Sequence, residues 1–284
     1  MDGYFARVNK RFEADLPKGL RVRGDTRDLI ERYIYLFGSW EPALTHWLCI
    51  RLAPGDAFID VGANIGYYSL LASRCVGSSG TVVAIEASPA ICNRLRENVT
   101  LNALPNVRVV NLAASDSEGS IRVFEAHHDN FGATSVYPQT YQTNEVEVRR
   151  RPLSEIIPTD TMRHVRAIKI DVEGAEASVV RGLLPLLRES RDDLELVVEV
   201  GGGPVGSPPP VEAARELMEM LLPQGFACFR LRNDYAARSY RRAPKRNLER
   251  VPRSEHITFE CDLIFSRRDP STQMLPIDDW LSRE

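Results

Sequence analysis

Phe58-Ile59-Asp60-Val61-Gly62-Ala63-Asn64-Ile65-Gly66 is the stretch whose reading decides the fold. Ala57 to Val61 reads as a short buried strand, the glycines as a tight turn, and the text from about Tyr67 as a helix. Gly62 and Gly66 let the backbone turn sharply and remove side chains where a ligand would approach. The helix start adds free N–H groups. The spacing is not the G-x-G-x-x-G of pyrophosphate binders, because the middle glycine is missing. An acid, Asp60, stands just before the turn. A carboxylate there repels a pyrophosphate and suits a ligand with an ammonium and a sulfonium, such as S-adenosylmethionine.

A second acid supports this. Thr81-Val-Val-Ala-Ile-Glu86 is an apolar strand ending in Glu86, about twenty residues after the glycine turn, where a nucleoside-binding α/β domain places its ribose carboxylate. Taken singly, the turn is also an ordinary strand–helix connection and Glu86 an exposed strand-end acid. Their order and spacing favour a nucleoside site.

Composition bounds the reading. The chain has 284 residues, 43% hydrophobic and 26% charged, which fits one large α/β domain with additions. A net charge of −3 gives no global attraction to nucleic acid or to an anionic membrane. The N-terminal text lacks an apolar signal core and no apolar run is long enough to span a bilayer, which predicts a cytoplasmic protein. Cys49, Cys75, Cys92, Cys228 and Cys261 lack C-x-x-C pairing and read as free thiols.

Ahead of the first core strand, Leu20 to Asp28 reads as a polar turn region. Helical spacing follows over Asp28 to Phe37 and Ala43 to Leu52. Between these helices, Trp40 and Glu41 either border a ligand cavity or are a packed tryptophan and a capping acid. From 57 to about 112, strand and helix alternate, the sign of a parallel sheet covered on both faces. Ala113-Ala-Ser-Asp116 falls at the same carboxyl edge as Gly62 and Glu86. There Ser115 or Asp116 reads an adenine edge, or the segment is a plain turn. Ser120 to Glu125 and Glu145 to Arg149 alternate like strands around a loop, 127–143, that holds His127 and His128.

Arg166-Ala-Ile-Lys-Ile-Asp171-Val-Glu173-Gly174-Ala-Glu176 is the second decisive stretch. Its strand end lies beside the first one in an open parallel sheet, at the switch point where ligands bind. Asp171 and Glu173 therefore share a crevice with Gly62, and acids so crowded need a cation, a metal or hydroxyl donors. Leu194 to Val200, Phe226 to Leu231 and Ile257 to Phe265 are the remaining strands. The 201–210 stretch is a Gly/Pro loop. The basic run Arg238 to Arg253 is either a solvated loop or a patch for a phosphate-bearing acceptor.

With these residues in view, the chain resembles the FkbM family of S-adenosylmethionine-dependent methyltransferases. The resemblance rests on the 58–69 text, Val83-Ala-Ile-Glu-Ala-Ser-Pro89, Asn98-Val-Thr-Leu-Asn102, Ala113-Ala-Ser-Asp116 and Ile168 to Glu176. Two departures stand out: Ala-Ser-Pro follows Glu86 where relatives more often have Pro-x-Pro, and Val200-Gly201 follows Glu199 where relatives often carry a histidine. The resemblance implies the class I methyltransferase fold, a Rossmann-like, doubly wound α/β sheet of seven mostly parallel strands with an N-terminal helical extension. It divides the chain into a helical cap segment, 1–55, a methyltransferase domain, 56–268, with loops at 201–210 and 238–256, and a tail, 269–284.

It also implies O-methylation of a hydroxyl on a small molecule, phosphate-bearing or carrier-linked among the options. N-methylation, a NAD-type oxidoreductase and a non-catalytic scaffold are the alternatives. Gly62, Ala63, Asn64 and Gly66 are expected to wrap the methionine end of S-adenosylmethionine, and Asp60 to hold its ammonium directly or through water. Glu86 with Ala87 would hold the ribose and Ser115 or Asp116 the adenine, with Trp40 and Glu41 bordering the ligand. Asp171 and Glu173 are the expected catalytic pair, and no metal is assigned. The sequence leaves the acceptor and the oligomeric state open.

Overall fold

The computed structural model describes residues 10–125, 144–201, 206–231, 240 and 248–270. The chain opens on a hairpin, β1 (Arg11–Leu16) and β2 (Leu20–Asp25), followed by helices α1 (Leu29–Phe37) and α2 (Pro42–Arg51). The alternating core then runs β3 (Ala57–Val61), α3 (Tyr67–Val76), β4 (Thr81–Glu86), α4 (Pro89–Leu101) and β5 (Val107–Asn111). Three strands form a side sheet: β6 (Ala113–Ser115), β7 (Gly119–Glu125) and β8 (Asn144–Pro152). Single-turn helices α5 (Leu153–Ile156) and α6 (Thr159–Met162) lead to β9 (Val165–Ile170) and α7 (Glu176–Leu183). The last elements are β10 (Glu195–Val200), α8 (Pro210–Leu221), β11 (Ala227–Leu231), β12 (Leu248–Arg250) and β13 (Cys261–Ser266).

The main sheet has the order β12-β11-β13-β10-β9-β3-β4-β5. From β5 to β10 all pairings are parallel, and β13 inserts antiparallel between β10 and β11. The expected seven strands are present, and the short β12 extends the β11 edge as an eighth. Central strands β3 and β9 are buried along their whole length, as parallel strands covered on both faces must be. Side-chain alternation sends Ile59 and Val61 to the face under α7 and α8. Phe58 goes to the face under α2, α3 and the hairpin, where Trp47 is fully buried. No helix among the described residues is long and apolar enough to cross a membrane.

Three local readings change. Leu20 to Asp25 is a strand and not a polar turn: Leu20 and Val22 point inward while Arg21 and Arg23 point out. The last strand begins at Cys261, because Ser254–His256 form a 3-10 turn ahead of it. The 113–116 segment does not simply turn, since β6 pairs with β8 in the side sheet. The 127–143 loop with its two histidines, and most of the basic 238–253 run, lie outside the described residues.

The hairpin is fastened by helix α4. Asn98 Oδ1 accepts from the Arg23 N–H at 2.8 Å, and Asn102 Oδ1 from the Arg21 N–H at 2.7 Å. Their Nδ2 groups return bonds to the Arg23 and Arg21 carbonyls at 3.3 and 2.6 Å. Residues four apart on a helix are about 6 Å apart along its axis, close to the roughly 6.8 Å between alternate residues of a strand. Two asparagines at that spacing therefore read the free edge of β2 as another strand would. Asn98 Nδ2 also donates to the Ile65 carbonyl at 3.0 Å, joining hairpin, helix and glycine turn. Asn98→Ala should lower the unfolding free energy by about 1–3 kcal/mol, the cost of leaving buried backbone groups unpaired. Denaturant titration beside Asn102→Ala checks this. A loss of only a few tenths would mean that water replaces the amide.

Candidate active site

The turn after β3 is built from left-handed backbone: Gly62 has φ +79°, Asn64 +50° and Gly66 +96°. The N–H groups of Gly62 and Ala63 both donate to the Ile85 carbonyl, at 2.9 and 3.0 Å, so the turn folds over the end of β4. The two glycines serve different contacts. A Cβ on Gly62 would lie 1.7 Å from the Asp171 carbonyl oxygen, whereas one on Gly66 would meet Leu95 Cδ1 at 2.4 Å. Gly62 thus admits the β9 chain end, and Gly66 admits helix α4 and not a ligand.

Glu86 is 6% exposed and held at both oxygens. Oε2 accepts from the Asn64 N–H at 2.9 Å and Oε1 from the Ser88 N–H at 2.9 Å. Burial pushes its carboxyl up to about 7, against the pull of those donors and of the Ala87 N–H. Asn111 Nδ2 bonds the Glu86 and Ala87 carbonyls at 2.8 and 2.9 Å, which fixes the strand end. Across the crevice, Ser115 Oγ lies 3.2 Å from Ser178 Oγ, and Asp116 Oδ2 accepts from Arg181 at 2.7 Å.

The β9 end supplies the acids. Carboxylate oxygens of Asp171, Glu173 and Glu199, all half-buried, lie within 4.8 Å of one another. Glu173 takes a left-handed φ of +54°, and Glu176 steadies the turn by accepting from the Val172 and Gly174 N–H groups at 3.2 and 3.0 Å. Burial pushes Asp171 up, but Lys169 and a hydrogen bond with Glu199 hold it below the usual carboxylate range. Burial, then Asp171, Glu176 and Glu260, push Glu173 up to about 9, and Glu199 is raised well above its usual value by burial and Asp171. Lys169 Nζ donates to Asp171 Oδ2 at 2.6 Å.

A cavity of about 640 Å³ gathers these groups. Gly62, Asn64, Glu86, Ala87 and Ser115 line it together with Asp171, Glu173, Trp40 and Glu41. Asp60, Ala63, Gly66 and Asp116 are not among its lining residues. Asp60 is 1% exposed, with Oδ2 accepting from Ser69 Oγ at 2.6 Å, and it faces Lys169 and not open space. Direct contact between Asp60 and a ligand ammonium is therefore not how this site is built. Asp116 is turned to Arg181. Glu41 does not cap its helix: it has φ +40° and its carboxylate accepts from the Tyr68 hydroxyl at 2.5 Å. Sequence reasoning missed Lys169, Tyr68 and Glu260. A lysine between two isoleucines in an apolar strand was the available signal for the first.

The residues present fit S-adenosylmethionine. The pinned Glu86 carboxylate lines the cavity and, when ionised, only accepts hydrogen bonds, the complement of ribose hydroxyls. The acid-lined wall suits a ligand with a sulfonium and an ammonium, and the volume lies within the usual range for small-ligand sites.

The chain is similar to several known methyltransferases. Methyltransferase 1 of Beauveria bassiana is 27% identical over 150 residues, 46% of this chain and 59% of that protein. Methyltransferase sdnD of Sordaria araneosa is 26% identical over 168 residues, 49% of this chain and 64% of that protein. The chain thus spans about three fifths of the length of these relatives. A SAM-dependent methyltransferase from Aquifex aeolicus superposes with a TM-score of 0.44 at 16% identity, over 82% of this chain and 90% of that one. The precorrin-6y C5,15-methyltransferase of Geobacter metallireducens gives 0.44 at 12%, over 80% and 87%. The main sheet has the class I methyltransferase order, with its antiparallel strand inserted next to the last. The family described as the methyltransferase FkbM domain matches residues 60–228, more than half of the chain. The chain belongs to this FkbM family and carries its S-adenosylmethionine-dependent methyltransferase domain.

Proposed function

We propose that the protein methylates a hydroxyl oxygen of a small molecule. The observation that carries this reading is the placement of Asp171, Glu173 and Glu199 on the same cavity wall as Gly62 and Glu86. The bound donor supplies an electrophilic methyl group. A neutral hydroxyl must shed its proton during transfer, and a positioned carboxylate takes it. Two neighbouring acids pushed in opposite directions divide the roles. Asp171, held ionised, accepts the acceptor's proton. Glu173, which keeps its own proton to about pH 9, donates a hydrogen bond that orients the acceptor oxygen.

Gly62, Asn64 and the neighbouring turn cradle the donor's methionine end, Glu86 and Ala87 its ribose, and Ser115 its adenine edge, with Trp40 and Glu41 bordering the ligand. Asp60 acts on the ammonium only from behind the wall, and Ala63, Gly66 and Asp116 support the turn and the edge. Among the described residues, seven carboxylate side chains and two guanidiniums line the cavity, a balance that favours a neutral acceptor over a phosphate-bearing one. The five described cysteines are free thiols, which suits the cytoplasm.

Two measurements test this. Glu86 must be ionised to accept both ribose hydroxyls, so S-adenosylhomocysteine binding should weaken as pH falls below about 7, by roughly tenfold per unit, and should release a proton at neutrality. Glu86→Gln should bind more weakly and lose that dependence; pH-independent binding by the parent protein would remove Glu86 from the ribose. Second, the protein given methyl-labelled S-adenosylmethionine and a small-molecule extract should yield a product whose label sits on oxygen. Asp171→Asn should slow its formation about 10²-fold or more. Label on nitrogen would overturn the hydroxyl reading.

A further inference from the structure

Lys169 is not explained by the catalytic reading. It stands between Ile168 and Ile170 near the carboxyl end of β9, 5% exposed, where an ammonium is costly unless its charge is answered. Nζ donates to Asp171 Oδ2 at 2.6 Å and sits 5.0 Å from the centroid of the Tyr68 ring, a cation–π distance. Two other acids face it. Asp60 comes from β3, in register with Lys169, and Glu41 from the turn before α2. Burial works against the charged lysine, yet Asp171, Asp60 and Glu41 together raise it above the usual lysine range. Tyr68 completes the link, since its hydroxyl donates to Glu41 Oε2 while its ring floors the ammonium.

Among the described residues, the other charged neighbours of Asp171 are acidic: Glu173 and Glu176 on its own turn, Glu199 from β10, Glu260 from the segment before β13, and Asp60 from β3. Without a cation, a carboxylate among these acids would take up a proton and lose its fixed rotamer. We propose that Lys169 is a positioning residue for methyl transfer: its ammonium, seated on the Tyr68 ring, clamps the Asp171 carboxylate to the cavity wall and ties it through Tyr68 to Glu41 of the N-terminal segment. This rests on the reading of Asp171 as the proton acceptor. The donor cradle at Gly62, Asn64 and Glu86 is outside the clamp, which meets the donor only through Glu41 and Asp60, so turnover responds more than donor affinity.

The test uses Lys169→Met, Lys169→Arg, Asp171→Asn and the double variant Lys169→Met/Asp171→Asn, which removes both charges and guards against a misfolded single variant. The first readout is unfolding free energy from pH 4 to 8. With Lys169 present, the folded Asp171 titrates below its unfolded value, so the pair's stabilisation is present above that value and fades as acid is added. With methionine at 169, the surrounding acids raise Asp171, and stability then falls as pH rises. The gap between parent and Lys169→Met should therefore widen with pH, and should widen less in the Asp171→Asn background, where only Asp60 and Glu41 still face the lysine.

The second readout is product formation in the labelled-methyl assay beside S-adenosylhomocysteine affinity. Lys169→Met should lower kcat about a hundredfold, with nucleoside affinity changed far less, Lys169→Arg recovering most of the rate, and the double variant no slower than Asp171→Asn. A pH-independent gap, or parental kcat in Lys169→Met, would overturn the proposal. Parental kcat in Asp171→Asn would instead overturn the assignment of Asp171 and leave the clamp a structural pair.

Discussion

The contact on which the molecule turns is the meeting of two backbones, not of two side chains. The Asp171 N–H donates to the Val61 carbonyl at 3.0 Å, and the Asp171 carbonyl then passes over Gly62 where any Cβ would collide. The ends of β3 and β9 are locked together at the point where the sheet reverses its winding. One turn offers N–H groups and a glycine cradle, and the other offers carboxylates. Because their backbones touch, the spacing between the two chemistries is fixed by steric exclusion rather than by side-chain packing, which is the positioning that a transfer reaction between two bound molecules requires.

Charge is distributed unevenly between the two edges of this sheet. At the edge away from the cavity, buried acids meet guanidiniums: Glu195 pairs with Arg51 at 3.2 Å and Arg166 at 3.5 Å, and Asp56 with Arg191 at 2.6 Å. At the cavity edge, acids outnumber cations among the described residues, and burial first, then the neighbouring acids, shift the carboxyls of Glu86, Glu173 and Glu199 upward. Carboxyls crowded together and buried are costly to ionise, so this edge is one the fold tolerates rather than one that holds it together. Stability resides in the two apolar faces, and the cavity edge is left free for ligands.

Much of this was legible in the sequence. Short apolar strands ending in an acid, followed by a turn and an amphipathic helix, can only be read one way once they recur in order, and both decisive stretches landed on one cavity. What escaped were features set by tertiary contact. Leu20-Arg-Val-Arg looks polar because two arginines interrupt it, although its period of two is that of a half-buried strand. Asp60 reads as a ligand contact until its strand register turns it toward Lys169 and Ser69. Gly66 looks like a cradle glycine, but its missing side chain makes room for Leu95. Glu260 carries no local signal, since only the antiparallel insertion of β13 brings it across from Asp171.

The asparagine pair on α4 bears on how such a protein can be inherited. The stretch shared across the family begins at Asp60, inside β3, and so omits the hairpin whose backbone those asparagines hold. Phe58, Trp47 and Val22 belong to one apolar cluster that straddles the same boundary. The recurring block is therefore smaller than the unit that folds. A recombination event that moved the block alone would deliver the glycine turn intact while leaving Asn98 and Asn102 against unfamiliar backbone. A change in the hairpin backbone therefore has to be matched on helix α4.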